Sequence, residues 1–152
     1  VPAVKAVFLN IGCGDAASDS KLAKLVQDDL TLIAAQKSVL TVAKQSIAGF
    51  KIRKGATVGC RVTVRGRRMY ELLERILYVA LPRERDFVGF KKTQFDGRGN
   101  FSFSIKEHIS FLEIDYDKVD KIRGVNVTIK TSARNDSDAK ALLIMLGFPF
   151  VD

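Results

Sequence analysis

The chain contains one histidine, two cysteines, three prolines and no tryptophan. His108 has no second histidine to share a metal with, and Cys13 and Cys60 are distant in sequence, so a His/Cys metal centre is excluded. His108 is read as a surface or packing residue. Two cysteines cannot build a disulfide framework, which fits a reducing compartment. Scarce proline beside 47% hydrophobic content excludes a disordered basic tail. No run of about 18 apolar residues is present, so no membrane-spanning helix is expected. Nothing resembles a signal or transit segment. The chain opens in a strand-like Val1-Pro2-Ala3-Val4 without an initiator methionine, as expected of one that has lost a leader, a first helix or both.

Catalytic apparatus is equally sparse. Gly12-Cys13-Gly14 lies between a strand and a helix, but the third glycine and the ribose-binding acid of a dinucleotide fingerprint are missing. No Gly-Lys-Ser/Thr forms a phosphate loop, and Cys13 has no histidine nearby to activate it. Glu113, Asp115, Asp117 and Asp120 lack the glycine and closing glutamate of a calcium loop. Asp96, Asp115 and Asp117 offer no paired acid and base. Neither an enzyme nor a cofactor is expected.

What the chain has is positive charge, and that charge is localised. Residues 44–92 hold thirteen Lys or Arg against four Asp or Glu, a balance of +9, within a whole-chain net charge of +8. Residues 1–43 are neutral and residues 93–152 come to −1. Such a field attracts and steers a polyanion.

The pattern predicts one α+β domain over residues 1–152. Residues 4–12 form a mostly apolar, central strand, and 21–35 a helix with Leu22, Val26, Leu30 and Ile33 on one face. Residues 39–42 are a short strand. Residues 57–65 alternate, with Val58, Cys60, Val62 and Val64 on one side and Arg61, Thr63 and Arg65 on the other. A helix over 67–81 is closed by Pro82. Strands follow at 101–106 and 124–132, then a helix over 136–146 between Asn135 and Gly147. The expected architecture has three helices on one face of an antiparallel or mixed sheet of four main strands, ferredoxin-like or RRM-like.

The other sheet face would then display Arg61, Thr63, Arg65, Ser102, Ser104, Lys106, Asn126, Thr128 and Lys130, with no carboxylate. That face suits phosphates and 2′-hydroxyls. Phe101 and Phe103 share parity with Ile105 and belong to the core, so a pair of base-stacking aromatics is missing and shape or backbone recognition is favoured. Lys44, Lys51, Arg53 and Lys54 lie on a basic arm flanked by Gly49 and Gly55; Arg67 and Arg68 follow the strand. Arg83, Arg85, Lys91, Lys92 and Arg98 continue the field along a loop, where Glu84 and Asp86 suggest that some of them hold the loop itself.

Several stretches carry a family resemblance: Leu9-Asn10-Ile11-Gly12-Cys13-Gly14, Ser46-Ile47-Ala48-Gly49-Phe50-Lys51-Ile52-Arg53, Gly59-Cys60-Arg61-Val62-Thr63-Val64-Arg65-Gly66, Leu81-Pro82-Arg83-Glu84-Arg85-Asp86-Phe87, Phe95-Asp96-Gly97-Arg98-Gly99-Asn100 and Ile114-Asp115-Tyr116-Asp117-Lys118-Val119-Asp120. End to end, the chain resembles the bacterial-type large-subunit ribosomal proteins that bind 5S ribosomal RNA, the L5 family. The resemblance implies a place in the central protuberance. It implies contact with 5S rRNA through the sheet face and the end of the first strand, at Asn10. The basic arm would meet RNA or peptidyl-site tRNA. Arg83, Arg85, Lys91, Lys92, Arg98, Asp115 and Asp117 become candidates for a bridge to a protein of the small-subunit head. Other implied partners are large-subunit rRNA and neighbouring large-subunit proteins, with no membrane and no homo-oligomer.

The chain also departs from the family pattern. The first helix that normally precedes Val1 has no counterpart, and the arm near Val42-Ala43-Lys44-Gln45 is less basic than usual. Arg68 stands where an acidic or neutral residue is commoner, His108 replaces a glutamine and Leu112 a proline. Such drift fits an organelle or a fast-evolving bacterium, so the expected location is a ribosome of the mitochondrial matrix or the bacterial cytoplasm. In an organellar ribosome with little or no 5S rRNA, the protein would serve as a protein–protein adaptor instead.

Overall fold

In the computed structural model of the chain, the described residues are 2–12, 20–42, 57–84, 87–119 and 121–151. Five strands form one sheet: β1 Val4–Gly12, β2 Val39–Val42, β3 Thr57–Val64, β4 Phe101–Ile105 and β5 Val125–Thr131. Their order is β2-β3-β1-β5-β4, and every neighbouring pair is antiparallel. The apolar β1 is central, as its composition predicts. The sheet corrects the expected four strands to five, because the short 39–42 segment pairs along β3 as a full edge strand. Without β4, the path β1-α1-β2-β3-α2-β5 is the ferredoxin-like arrangement, and β4 adds an edge outside β5.

Parity places one side of every strand in a common core. Val7, Leu9 and Ile11 of β1, Cys60, Val62 and Val64 of β3, Val125, Val127 and Ile129 of β5, and Phe101, Phe103 and Ile105 of β4 are all buried there. Helix α1, Ser20–Ala34, brings Val26, Leu30 and Ile33 to the same core. Its end is fixed by Ser38, whose N–H donates to Thr31 Oγ1 at 3.1 Å and whose hydroxyl donates to the Gln27 carbonyl at 2.9 Å. Helix α4, Asp136–Leu146, is capped by Asn135, whose side chain accepts from the Asp138 N–H at 2.8 Å, and ends at Gly147 in the left-handed region.

Pro82 does not end the second helix. Helix α2, Gly66–Arg75, runs through a π turn at Ile76–Ala80 into α3, Leu81–Arg83. Proline has no N–H for the Tyr78 carbonyl and its ring crowds that oxygen. Widening the preceding turn accommodates it, so the helix stops at Glu84, two residues late. The polypeptide then crosses beneath β4, where Phe90 packs its ring against Phe101, Phe103 and Phe148. Phe101 and Phe103 are therefore core residues, as their parity predicts.

Candidate nucleic-acid interface

The second face of the sheet is organised by strand register. One row runs across all five strands: Val39, Arg61, Asn10, Asn126 and Ser104 are successive partners. The next contains Thr63, Phe8, Thr128 and Ser102. None of these side chains is a carboxylate. Hydrogen bonds tie the rows together. The Asn126 Nδ2 donates to Asn10 Oδ1 at 2.8 Å, and the Ser104 hydroxyl donates to Asn126 Oδ1 at 2.7 Å. Ser102 and Thr128 hydroxyls lie 3.1 Å apart in a further bond. The polar groups are thus held in place before any ligand arrives. The surface is concave. A depression is floored by Phe8, Asn10, Arg61, Thr63, Asn126 and Thr128, and a second adjoins it at Asn10, Arg61 and Asn126.

The sequence candidates divide on this frame. Asn10, Arg61, Thr63 and Ser102 sit together in the two rows, with Arg61 exposed at the rim. Lys130 and Lys106 extend the face at opposite ends of the β4–β5 edge, both exposed. Arg65 lies at the start of α2, followed by Arg67 and Arg68, all exposed; Arg67 is 3.4 Å from Glu71 in a solvent-screened pair. Lys44, Lys51, Arg53, Lys54 and Arg85 lie outside the described residues.

Phe8 is not among the sequence candidates. Reading 4–12 as one apolar run hides it, yet its parity with Asn10 puts it on the polar face. It is half-buried there, where Leu9 beside it is fully buried.

The loop candidates serve two different ends. Arg83 donates to the Ser110 carbonyl at 3.3 Å, and Glu84 accepts the N–H of Lys106. Asp115 accepts the N–H of Asp117 at 3.0 Å. All of the described bridge candidates, Arg83, Lys91, Lys92, Arg98, Asp115 and Asp117, are exposed, and Arg83 and Asp115 in addition make these contacts within the fold. Arg75 and Glu113, 2.7 Å apart, add a link between α2 and the acidic segment.

Arg98 stands at the tip of a clasp. Asp96 Oδ1 accepts from the N–H groups of Arg98 and Asn100, and its Oδ2 accepts from the Asn100 carboxamide. Asp136, at the start of α4, accepts from the Gly97 and Gly99 N–H groups at 3.1 and 3.0 Å. Slight desolvation raises the Asp96 pKa, but the hydrogen bonds from Arg98 and Asn100 outweigh it, and the net value falls below the usual one. A depressed folded-state pKa contributes stability above the unfolded value, lost as pH falls through the folded one. Asp96→Asn is therefore expected to melt below the parent at pH 7, with the gap closing as pH falls through and below the ordinary aspartate range. Thermal melts from pH 2 to 7 check this; a gap constant with pH would refute it.

His108 is fully buried, in keeping with a packing role. Its Nδ1 accepts the Arg123 N–H at 3.1 Å, which leaves the proton on Nε2, 3.3 Å from Asp29 of α1. That second contact is electrostatic and not an aligned hydrogen bond. Among the described residues, no group of three or more His, Cys, Asp or Glu side chains is placed to hold a metal ion. No described helix is long and apolar enough to cross a membrane.

Two family models divide the chain between them. "Ribosomal protein L5" matches residues 1–53, and the model of the C-terminus of the same ribosomal family matches residues 57–150. Relatives named large ribosomal subunit protein uL5 are similar over the whole chain. That of Wolbachia pipientis subsp. Culex pipiens is 63% identical over 152 residues, all of this chain and 85% of the relative. Those of Anaplasma phagocytophilum and Ehrlichia chaffeensis are 61% and 60% identical, with 86% of each relative covered. These sources are bacteria, so the mitochondrial reading and the organellar adaptor gain no support. The chain belongs to the ribosomal protein L5 family and is a structural constituent of the large ribosomal subunit, not an enzyme.

Proposed function

We propose that the carboxylate-free sheet face binds 5S rRNA and so anchors it to the large subunit of a bacterial cytoplasmic ribosome. The observation that carries this reading is the row Arg61, Asn10, Asn126 and Ser104, fixed by register and hydrogen bonds. Arginine supplies a fork for phosphate oxygens, and amides and hydroxyls supply partners for 2′-hydroxyls. Arg65, Arg67, Arg68, Lys106 and Lys130 surround the row with charge. Large-subunit rRNA and neighbouring ribosomal proteins complete the surroundings of the chain.

We assign the exposed Lys91, Lys92, Arg98 and Asp117 to contact with a small-subunit head protein, from their charge and the resemblance. The basic arm with Lys44, Lys51, Arg53 and Lys54 is assigned to RNA or peptidyl-site tRNA from its charge and the resemblance.

The test is a salt series on 5S rRNA binding by the purified chain. Each phosphate neutralised contributes about −0.7 to −0.9 to the slope of log K against log salt. A slope of about −3 or steeper is expected, and a flat plot would overturn the reading.

A further inference from the structure

We propose that the sheet face holds one unstacked RNA base against the ring of Phe8, and that Arg61 and the Asn10 carboxamide read the acceptor edge of that base. The inference rests on the reading that this face binds rRNA.

Phe8 is out of place by the ordinary rules of a sheet. It lies in the central strand between Thr63 and Thr128, on the polar face. It belongs neither to the buried core cluster nor to the half-buried apolar side chains packed against that core. Among the described residues, Phe87, Phe90, Phe95, Phe101, Phe103, Phe148 and Phe150 contact one another's rings on the core side, and none of these contacts includes Phe8. A ring that breaks the local pattern without serving the core marks a functional position. Phosphate oxygens gain nothing from a phenyl face, whereas every nucleobase has a π-face that stacks on one. The ring lines a depression that is open to solvent.

The hydrogen-bond ladder sets what the walls can offer. Asn10 Oδ1 is used by Asn126, and Asn126 Oδ1 is used by Ser104. One lone pair of each carboxamide oxygen is thereby engaged, and the Asn10 NH₂ remains as a donor, beside a Thr63 hydroxyl that can donate or accept. Arg61, also in the lining, adds a guanidinium that only donates. The two donor-only groups, the Arg61 guanidinium and the Asn10 NH₂, favour a base edge with paired acceptors. Guanine N7 and O6 are the pair that arginine reads in bidentate fashion. The site is therefore matched to an unpaired or bulged guanosine held in an otherwise shape-recognised RNA.

The experiment compares the full 152-residue chain with Phe8→Thr and Phe8→Tyr on 5S rRNA. Threonine keeps strand propensity, and circular dichroism with a thermal melt verifies that each variant folds. Expected results are affinity about tenfold weaker for Phe8→Thr, an unchanged salt slope, and near-parental binding by Phe8→Tyr. Dimethyl sulfate probing at saturating protein reads guanine N7 directly. One guanosine is expected to be protected by the parent chain and Phe8→Tyr, and exposed when Phe8→Thr is bound. If Phe8→Thr binds as the parent does with the same protection, base stacking is overturned and rRNA binding by the face stands. If the parent chain itself does not bind 5S rRNA, the rRNA reading falls and the inference falls with it.

Discussion

Replacing Arg61 and Arg65 together with alanine is expected to weaken 5S rRNA binding at least about tenfold near 0.1 M salt and to flatten the salt slope by roughly 1.4 to 1.8. Arg61 stands at the rim of the concave row and Arg65 just beyond the end of the same strand. Both are exposed, so removing them leaves the core intact. The slope matters more than the affinity. Two lost phosphate contacts reduce counterion release, whereas a mutation that merely loosened the fold would lower affinity without that signature. Filter-binding or anisotropy titrations at four salt concentrations, with matched melting temperatures, check the prediction. Unchanged affinity and slope would move the RNA contact off the sheet face.

The second large effect concerns stability. Gly99→Ala is expected to destabilise the fold by about 3 kcal/mol or more, and Gly97→Ala by only about 1 kcal/mol. Both glycines have positive φ, +86° and +89°. Their surroundings differ. A Cβ on Gly99 would fall 2.6 Å from the Ala133 carbonyl oxygen and 3.1 Å from its carbon, whereas one on Gly97 would meet nothing within 4 Å. Backbone cannot step aside as a flexible side chain can. Gly99 is also locked from the other side, since its carbonyl accepts from Thr131 Oγ1 at 2.6 Å. The loss at Gly99 is a large share of the roughly 5–15 kcal/mol that holds a domain of this size together. Urea denaturation of the two variants measures the difference directly; equal midpoints would refute the argument.

Much of this was legible in the sequence, for a simple physical reason. Strands with one dry face must alternate, so parity alone assigns Arg61 and Thr63, Ser102 and Ser104, Asn126 and Thr128 to one surface. Helix ends at Asn135 and Gly147 followed from side-chain capping and left-handed geometry. The misreadings arose where local pattern and tertiary context disagree. Phe8 sits in a run where nearly every residue is apolar, and only pairing with Thr63 and Thr128 reveals its side. Pro82 reads as a stop, but a π turn lets the helix pass it. Arg83 and Asp115 are surface charges in sequence and structure alike, yet they also bond the Ser110 carbonyl and the Asp117 N–H. Charge alone does not tell a residue that meets a partner from one that holds a loop.

The bond between Asn10 and Asn126 joins residues 116 positions apart. Its row takes Asn10 from the segment matched by one family model, and Arg61, Asn126 and Ser104 from the segment matched by the other. During translation the early strand β1 can find neither β5 nor a complete ladder until nearly the whole chain has left the ribosome that makes it. Long-range pairing of this kind forms late and slowly. A nascent or truncated chain would thus carry the basic charge without the ordered row, and the finished surface marks a completed copy.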